Sequence, residues 1–269
     1  MHPILFKLPF IGLEIPTYGF VMALGMLIGS LVFAWLAGRS GADREACFET
    51  VLLTVLVSLI ASKIVGMLFQ PQPPRSLREF VDLFVHTGGV WYVGFLSGVA
   101  MAAWRFPKVG LKGMHGLDCA AAGVAIGHGI GRLACFFGGC CWGSSCDLPW
   151  AITFTNPRAH ALTGVPLGVP LHPVQLYEVG AELSLGVALI ALILSGKYRF
   201  AGQPGLMYLM AYAMIRFSLE FLRDDPRGAA AGLSTSQLIA LAVFGGALPF
   251  LLLGLWRGKL GRNNGVGTH

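Results

Sequence analysis

The sequence predicts an all-α integral membrane protein with about seven transmembrane helices and a small extracytoplasmic cap. Composition is the first observation: of 269 residues, 55% are hydrophobic and 12% charged, whereas soluble domains carry about 25% charged residues. The second is hydropathic patterning. Seven apolar runs, at about 17–37, 48–69, 88–106, 117–137, 174–195, 204–222 and 235–256, are each close to the roughly 20 residues that cross a bilayer core of about 30 Å. The third is that one connection is long and rich in turn formers, at 138–172. Connections of that kind are usually lids or binding loops. The chain is therefore read as a single transmembrane domain over 1–269, with a cap at 138–172 inserted between spans four and five. No internal repeat or low-complexity tract interrupts it.

The opening run Ile4 to Ile11 is broken by Pro9 and followed by Pro16. It is expected to lie at the outer interface rather than span. With one Lys and three prolines between His2 and Pro16, this segment does not read as a cleavable signal peptide, so the first span is expected to stay. Tyr18 marks the outer end of that span, a position that suits an aromatic belt residue as well as a site residue. Span two carries Lys63 beside Ser58 and Ser62, and a lysine at that depth needs a partner or a wet cavity. The proline-rich stretch from Gln70 to Thr87 suits an outer loop or a short surface helix. Span three opens with Gly88-Gly89-Val90-Trp91-Tyr92-Val93-Gly94-Phe95-Leu96-Ser97-Gly98. Its aromatic and hydroxyl groups beside glycines make a candidate site wall.

Span four holds the stretch around which the rest is organised, Gly127-His128-Gly129-Ile130-Gly131-Arg132-Leu133-Ala134-Cys135-Phe136-Phe137-Gly138-Gly139-Cys140-Cys141-Trp142-Gly143. An arginine at bilayer depth costs roughly 2.5–3.5 kcal/mol on insertion scales and is normally retained to meet an anion, a carboxylate or a water-filled cavity. The glycines before it let a neighbouring helix or a lipid headgroup approach the backbone. A tight helix crossing with Arg132 snorkelling to the interface is the structural alternative.

Within the cap, Trp150 to Phe154 is expected to form a short strand. Span five begins after His172-Pro173-Val174-Gln175-Leu176-Tyr177-Glu178, with Glu178 and Glu182 one turn apart. Glutamates there can simply answer the helix dipole. In span six, Tyr212, Arg216, Glu220 and Arg223 recur at four, four and three residues, which predicts one polar stripe. Glu220 is expected to neutralise Arg216 or Arg223 and leave a positive remainder. The alternative is a purely structural interhelical network.

The net charge of +6 is read through topology. With the N-terminus outside, ten Lys and Arg residues fall in inner segments (Arg39, Arg44, Arg105, Lys108, Lys112, Lys197, Arg199, Arg257, Lys259, Arg262). Six fall in outer ones (Lys7, Arg75, Arg78, Arg158, Arg223, Arg227). The bias predicts an outside N-terminus and a cytoplasmic C-terminus. Basic residues dispersed over separate loops speak against a nucleic-acid partner.

The cysteines at 135, 140, 141 and 146 have the spacing C-x4-CC-x4-C, which lacks the paired C-x2-C units of a zinc knuckle. In an oxidising compartment a bridge such as Cys140 with Cys146 would brace the cap, and this is the leading reading. A thiolate near Arg132 acting as a nucleophile is the second. Cys47 and Cys119 read as small buried apolar residues. Together the arginines, tyrosines and glycine-cleared walls suit a phospholipid headgroup, because the guanidinium fork binds phosphate oxygens in bidentate fashion.

These motifs resemble the bacterial prolipoprotein diacylglyceryl transferases over most of the chain. The resemblance rests on Tyr18-Gly19, the Gly131-Arg132-Leu133 run ending in Trp142-Gly143, His172-Pro173-x-Gln175-Leu176-Tyr177-Glu178, and Arg216-x-x-x-Glu220-Phe221-x-Arg223. It implies transfer of the diacylglyceryl group of phosphatidylglycerol to the lipobox cysteine thiol of a preprolipoprotein, at the bacterial cytoplasmic (inner) membrane, without a metal or other cofactor. By the same resemblance Arg132 and Arg216 hold the phosphate and stabilise the leaving group. Tyr18, Tyr212 and Glu220 line the site, and Gly94, Cys135, Gly143 and Arg223 complete the substrate-binding set. The sequence departs from the family at three places. The third-span histidine falls on Val93, leaving Tyr92 as the nearest titratable neighbour. The Asn and Glu after the arginine align with Cys135 and Cys140. The catalytic candidates are accordingly Arg132, Arg216, Tyr92 and Cys140, with His128 as a further possible base. Two other readings stay open: a paralogue that transfers a lipid-derived group to another acceptor, and a non-catalytic cysteine-redox or lipid-carrying membrane protein.

Overall fold

The computed structural model describes residues 4–8, 13–70, 74–86, 90–111, 114–225, 228–230 and 232–263. The protein is an all-α membrane protein, and each of the seven apolar runs is a helix. In chain order these are α1 (Thr17–Arg39), α2 (Arg44–Leu68), the short α3 (Leu77–His86), α4 (Trp91–Arg105), α5 (His115–Gly138), the cap helix α6 (Pro157–Thr163), α7 (Val174–Ser195), α8 (Gln203–Glu220) and α9 (Thr235–Asn263). Five of them, α1, α2, α5, α7 and α9, are long and apolar enough to cross a membrane. The 15 residues of α4 reach only about 22 Å at 1.5 Å per residue, and α8 carries Arg216 and Glu220.

The strands are brief. β1 (Ile4–Leu8) and β2 (Leu13–Pro16) form an antiparallel hairpin. The opening segment, expected to lie at the interface rather than span, pairs as strands. β3 (Ile152–Thr153) pairs with β4 (Pro170–Leu171), and β5 (Ala229–Ala230) with β6 (Leu233–Ser234). The strand expected at Trp150 to Phe154 is thus present over Ile152–Thr153 alone.

The chain divides into two compact units, 34–116 and the combination of 1–33 with 117–269. In the first, Asp43 caps α2 by accepting from the backbone N–H of Glu45 and Ala46 at 2.9 and 3.2 Å. The chain α4 lies on α2 through its glycines. A Cβ on Gly98 would stand 2.5 Å from Ser58 Oγ, and one on Gly94 would stand 3.2 Å from the Ser58 carbonyl. Arg105 Nε donates to Thr50 Oγ1 at 3.3 Å. The side chains of Trp91 and Tyr92 lie outside the described residues.

In the second unit, α1 and α5 cross backbone to backbone. Cβ atoms on Gly25 and Gly29 would stand 2.6 Å from the carbonyl oxygens of Gly127 and Gly123, and one on Gly127 would stand 2.8 Å from that of Gly25. These are two small-xxx-small pairs facing each other, the arrangement that lets membrane helices approach closely. The glycines before Arg132 therefore admit helices: Gly127 admits α1, and Gly129 admits Leu183 and Glu182 of α7. Further along, α7 packs on α8 and α8 on α9. Asp118, fully buried, holds the start of α8 by accepting from the N–H of Gly202 at 2.7 Å and of Gly205 at 2.9 Å. The cap has its own small core of Trp142, Phe154, Ala159, Val165 and Leu171.

Candidate active site at the end of helix α5

Helix α5 ends in a Schellman turn. Gly139 takes φ 76°, the Gly139 N–H donates to the Phe136 carbonyl at 3.3 Å, and the Cys140 N–H donates to the Cys135 carbonyl at 3.1 Å. That pattern places the residue after the glycine back over the third residue from the helix end, and both positions are cysteines here. Cys141 continues the reversal with φ 62°, the only positive φ at a non-glycine among the described residues. The sulfurs of Cys135, Cys140 and Cys141 consequently lie within 4.8 Å of one another. All described cysteines, Cys146 included, are free. Cys140 thus belongs to this trio and forms no bridge to Cys146.

One turn earlier on α5, Arg132 Nη1 reaches both Cys135 Sγ and Cys141 Sγ at 3.6 Å. Its Nη2 is 2.5 Å from Glu178 Oε2 on α7, and Glu178 is completely buried. Glu178 Oε1 accepts from Tyr212 Oη of α8 at 3.4 Å. His128 sits 3.3 Å from the buried Glu182 and edge-on to Tyr212. Glu178 is therefore the anionic hub between three helices, a role its position near a helix start did not reveal. Gln175, one turn earlier on α7 and 1% exposed, donates from Nε2 to the Cys140 carbonyl at 2.7 Å. It fixes the reversal that carries the thiols. The hydrogen bonds of Cys135 and Cys140 and the guanidinium groups of Arg223 and Arg132 outweigh burial to hold the Cys141 thiol well below its ordinary pKa.

The expected stripe on α8 is shorter than predicted. Arg216 pairs with Glu220 at 2.7 Å and donates to Ser236 Oγ at 3.1 Å. The helix ends at Glu220, so Arg223 lies beyond it. Arg223 pairs instead with Asp225, Nε to Oδ1 at 2.9 Å and Nη2 to Oδ2 at 3.0 Å. Its backbone bridges to Gly143, flanked by Ser144 N–H to the Leu222 carbonyl at 2.8 Å. A Cβ on Gly143 would stand 2.6 Å from the His172 carbonyl, so this clasp needs glycine there. Each of the three arginines therefore has a carboxylate partner, which corrects the expected positive remainder. Arg132 Nε and Arg223 Nη1 are buried without a hydrogen-bond partner among the described residues. Beside Arg223 opens a polar cleft of about 310 Å³ lined by Glu220, Asp224, Asp225, Ser234 and Gln237.

Of the residues singled out in the sequence, Arg132, Cys135, Cys140 and Tyr212 thus meet around Glu178 and the thiol trio. Gly143 and Arg223 join in the adjoining clasp, and Arg216 and Glu220 pair on α8. Tyr18 packs against Gly138, 3.3 Å from where a Cβ would stand there. Gly94 lies on α2 in the other compact unit, and the Tyr92 side chain is among those not described.

The family described as prolipoprotein diacylglyceryl transferase matches residues 3–253. A phosphatidylglycerol–prolipoprotein diacylglyceryl transferase 2 of Clostridium perfringens is 30% identical over 246 residues, covering 88% of this chain and 90% of the relative. The phosphatidylglycerol–prolipoprotein diacylglyceryl transferase of Ruegeria pomeroyi is 32% identical over 293 residues, covering 95% and 94%. A match to the family over nearly the whole chain, with relatives at 30% and 32% identity covered almost end to end, shows that the chain belongs to the prolipoprotein diacylglyceryl transferase family.

Proposed function

We propose that this protein is a membrane transferase that moves the diacylglyceryl group of phosphatidylglycerol onto the lipobox cysteine thiol of a prolipoprotein. The observation that carries the reading is Arg132, which lies in a membrane helix with thiols on one side and a buried carboxylate on the other. The acceptor thiol gives up its proton to water, its sulfur attacks the glyceryl methylene carbon, the bond from that carbon to the phosphate ester oxygen breaks, and glycerol phosphate leaves with the electron pair. Charge grows on the departing phosphate, and guanidinium groups placed in a dry site stabilise that growth more than they stabilise the ground state. In this scheme Arg132 and Arg216 bear on the phosphate. Glu178 and Glu220 hold the two guanidinium groups in position, and Tyr212 orders Glu178. The charge bias of the loops supports an outside N-terminus and a site on the outer face of the bacterial inner membrane.

The test is transfer of labelled diacylglyceryl from phosphatidylglycerol to a lipobox peptide by the purified protein. Product from the parent chain and none from Arg132→Ala supports the reading. No product, with the protein folded and phosphatidylglycerol bound, overturns it. The thiols at 135 and 140 and Val93 at the histidine position favour a second reading, a paralogue with the same donor and another acceptor. It predicts glycerol phosphate release without peptide modification when that acceptor is supplied in a membrane extract.

A further inference from the structure

Three sulfurs from one short stretch, gathered by a glycine reversal and a strained Cys141, make a ligand set that buried packing does not require. Backbone strain of this kind costs on the order of 1–3 kcal/mol and persists where the surroundings over-determine it. Here Gln175 and the clasp to Arg223 do so. Cys135, Cys140 and Cys141 form the one group of three or more potential metal ligands among the described residues. Zinc–sulfur bonds of about 2.3 Å in tetrahedral array set sulfurs roughly 3.8 Å apart, so a trio within 4.8 Å closes by about 1 Å at most. Structural zinc sites use four protein ligands, whereas catalytic ones use three and keep a position for water or substrate.

We propose that Cys135, Cys140 and Cys141 bind Zn²⁺ as three thiolates and that the fourth coordination position takes the acceptor thiol. This rests on the transfer reaction proposed above and supplies the proton removal it needs. A free thiol has a pKa of about 8.5, so only a small fraction is thiolate at neutral pH, while a thiol on zinc is deprotonated outright. The carboxylates that pair with the arginines beside the trio are engaged, Glu178 by Arg132 and Asp225 by Arg223. On coordination the acceptor thiol gives its proton to water. Its sulfur lone pair then forms the C–S bond to the glyceryl methylene as the C–O bond breaks, and zinc stays Zn²⁺ throughout. Four thiolates on Zn²⁺ carry a net charge of −2. Arg132, 3.6 Å from two of the sulfurs, and Arg223 beside Cys141 are the cationic groups next to it, each shared between the thiolates and its own carboxylate. Cys140 and Cys141 are half-buried, so an incoming thiol can reach the metal while Cys135 stays inside.

The experiment uses the full chain in detergent, stripped by chelation and titrated with Zn²⁺, or with Co²⁺ as a spectroscopic probe. The expected result is one metal per chain and a tetrahedral cobalt–thiolate spectrum. Each of Cys135→Ser, Cys140→Ser and Cys141→Ser should weaken it, and Cys47→Ser and Cys146→Ser should leave it intact. Adding a lipobox peptide should shift the cobalt bands, whereas the same peptide with serine for cysteine should not. Metal removal from the unmutated chain should lower transfer on the order of 10²-fold, the scale of a lost proton-removing group, and Zn²⁺ should restore it. Three results overturn the proposal: binding well below one equivalent, full transfer by the stripped protein, or a cobalt spectrum indifferent to the cysteine peptide. The metal and spectral readings need no phospholipid, so a zinc site that answers the peptide while no diacylglyceryl is transferred would leave this inference standing and sink the reaction.

Discussion

Arg132 and Glu178 face each other at 2.5 Å across α5 and α7, and the carboxylate has no exposed surface at all. Breaking such a pair from one side leaves an uncompensated buried charge, at a cost of about 3–5 kcal/mol. Glu178→Ala should therefore destabilise the protein by about that amount in detergent unfolding. The double variant with Arg132→Ala should recover part of the loss. Additive losses in that double-mutant cycle would show that the two groups do not depend on each other.

Arg216 is held by Glu220 and Ser236, so its loss takes the cation from a buried carboxylate and should act on the fold as well as on the reaction. Arg216→Ala is expected to lower kcat on the order of 10²–10³-fold, as removal of one donor to a developing anion does, with thermal stability lowered as well because Glu220 loses its paired cation. A raised KM with kcat unchanged would assign Arg216 to ground-state binding alone.

Tyr212 meets Glu178 at 3.4 Å, a long bond. Tyr212→Phe should cost roughly 2- to 10-fold in activity, in line with about 0.5–1.5 kcal/mol for one hydrogen bond. A loss of several orders of magnitude would instead make the phenol a participant in the chemistry.

At the α1–α5 crossing, Gly29→Val and Gly127→Val push a side chain into backbone oxygens 2.6 and 2.8 Å away. Overpacking of this kind costs about 1–3 kcal/mol, visible as a lower melting temperature. Gly180→Ala on α7 meets nothing within 4 Å and should leave the melting temperature level or slightly higher.

Asp118 satisfies two backbone donors at the start of α8. Asp118→Ala strands both, at about 1–3 kcal/mol for each buried group. Asp118→Asn, which keeps one oxygen as an acceptor, should lose less.

The helices were legible because their apolar runs are long; helix boundaries such as Thr17–Arg39 and Val174–Ser195 lie close to the runs that predicted them. The opening hairpin was not, because five to eight apolar residues carry little periodicity and its pairing with Leu13–Pro16 is a non-local event. Arg223 was misplaced on α8 because a period of three or four continues on paper past the point where the helix stops. Glu178 was undervalued since a glutamate near a helix start has a sufficient local explanation. Only the partner helices turn it into a hub. The thiol trio does carry a sequence signal in Cys135-Phe136-Phe137-Gly138-Gly139-Cys140. A cysteine, four residues and another cysteine directly after a glycine is the spacing of a Schellman turn, which brings the first and last of those positions together.

The clasp between Ser144 and Leu222 joins positions 78 residues apart in the chain. Ribosomes add about 5–20 residues per second, so roughly 4 to 16 s separate the emergence of its two halves. The cysteines are therefore synthesised seconds before Arg223, which will sit beside Cys141, exists. The site of the proposed chemistry is accordingly assembled across the synthesis of α6, α7 and α8, and its clasp can close only once the loop that trails α8 has been made.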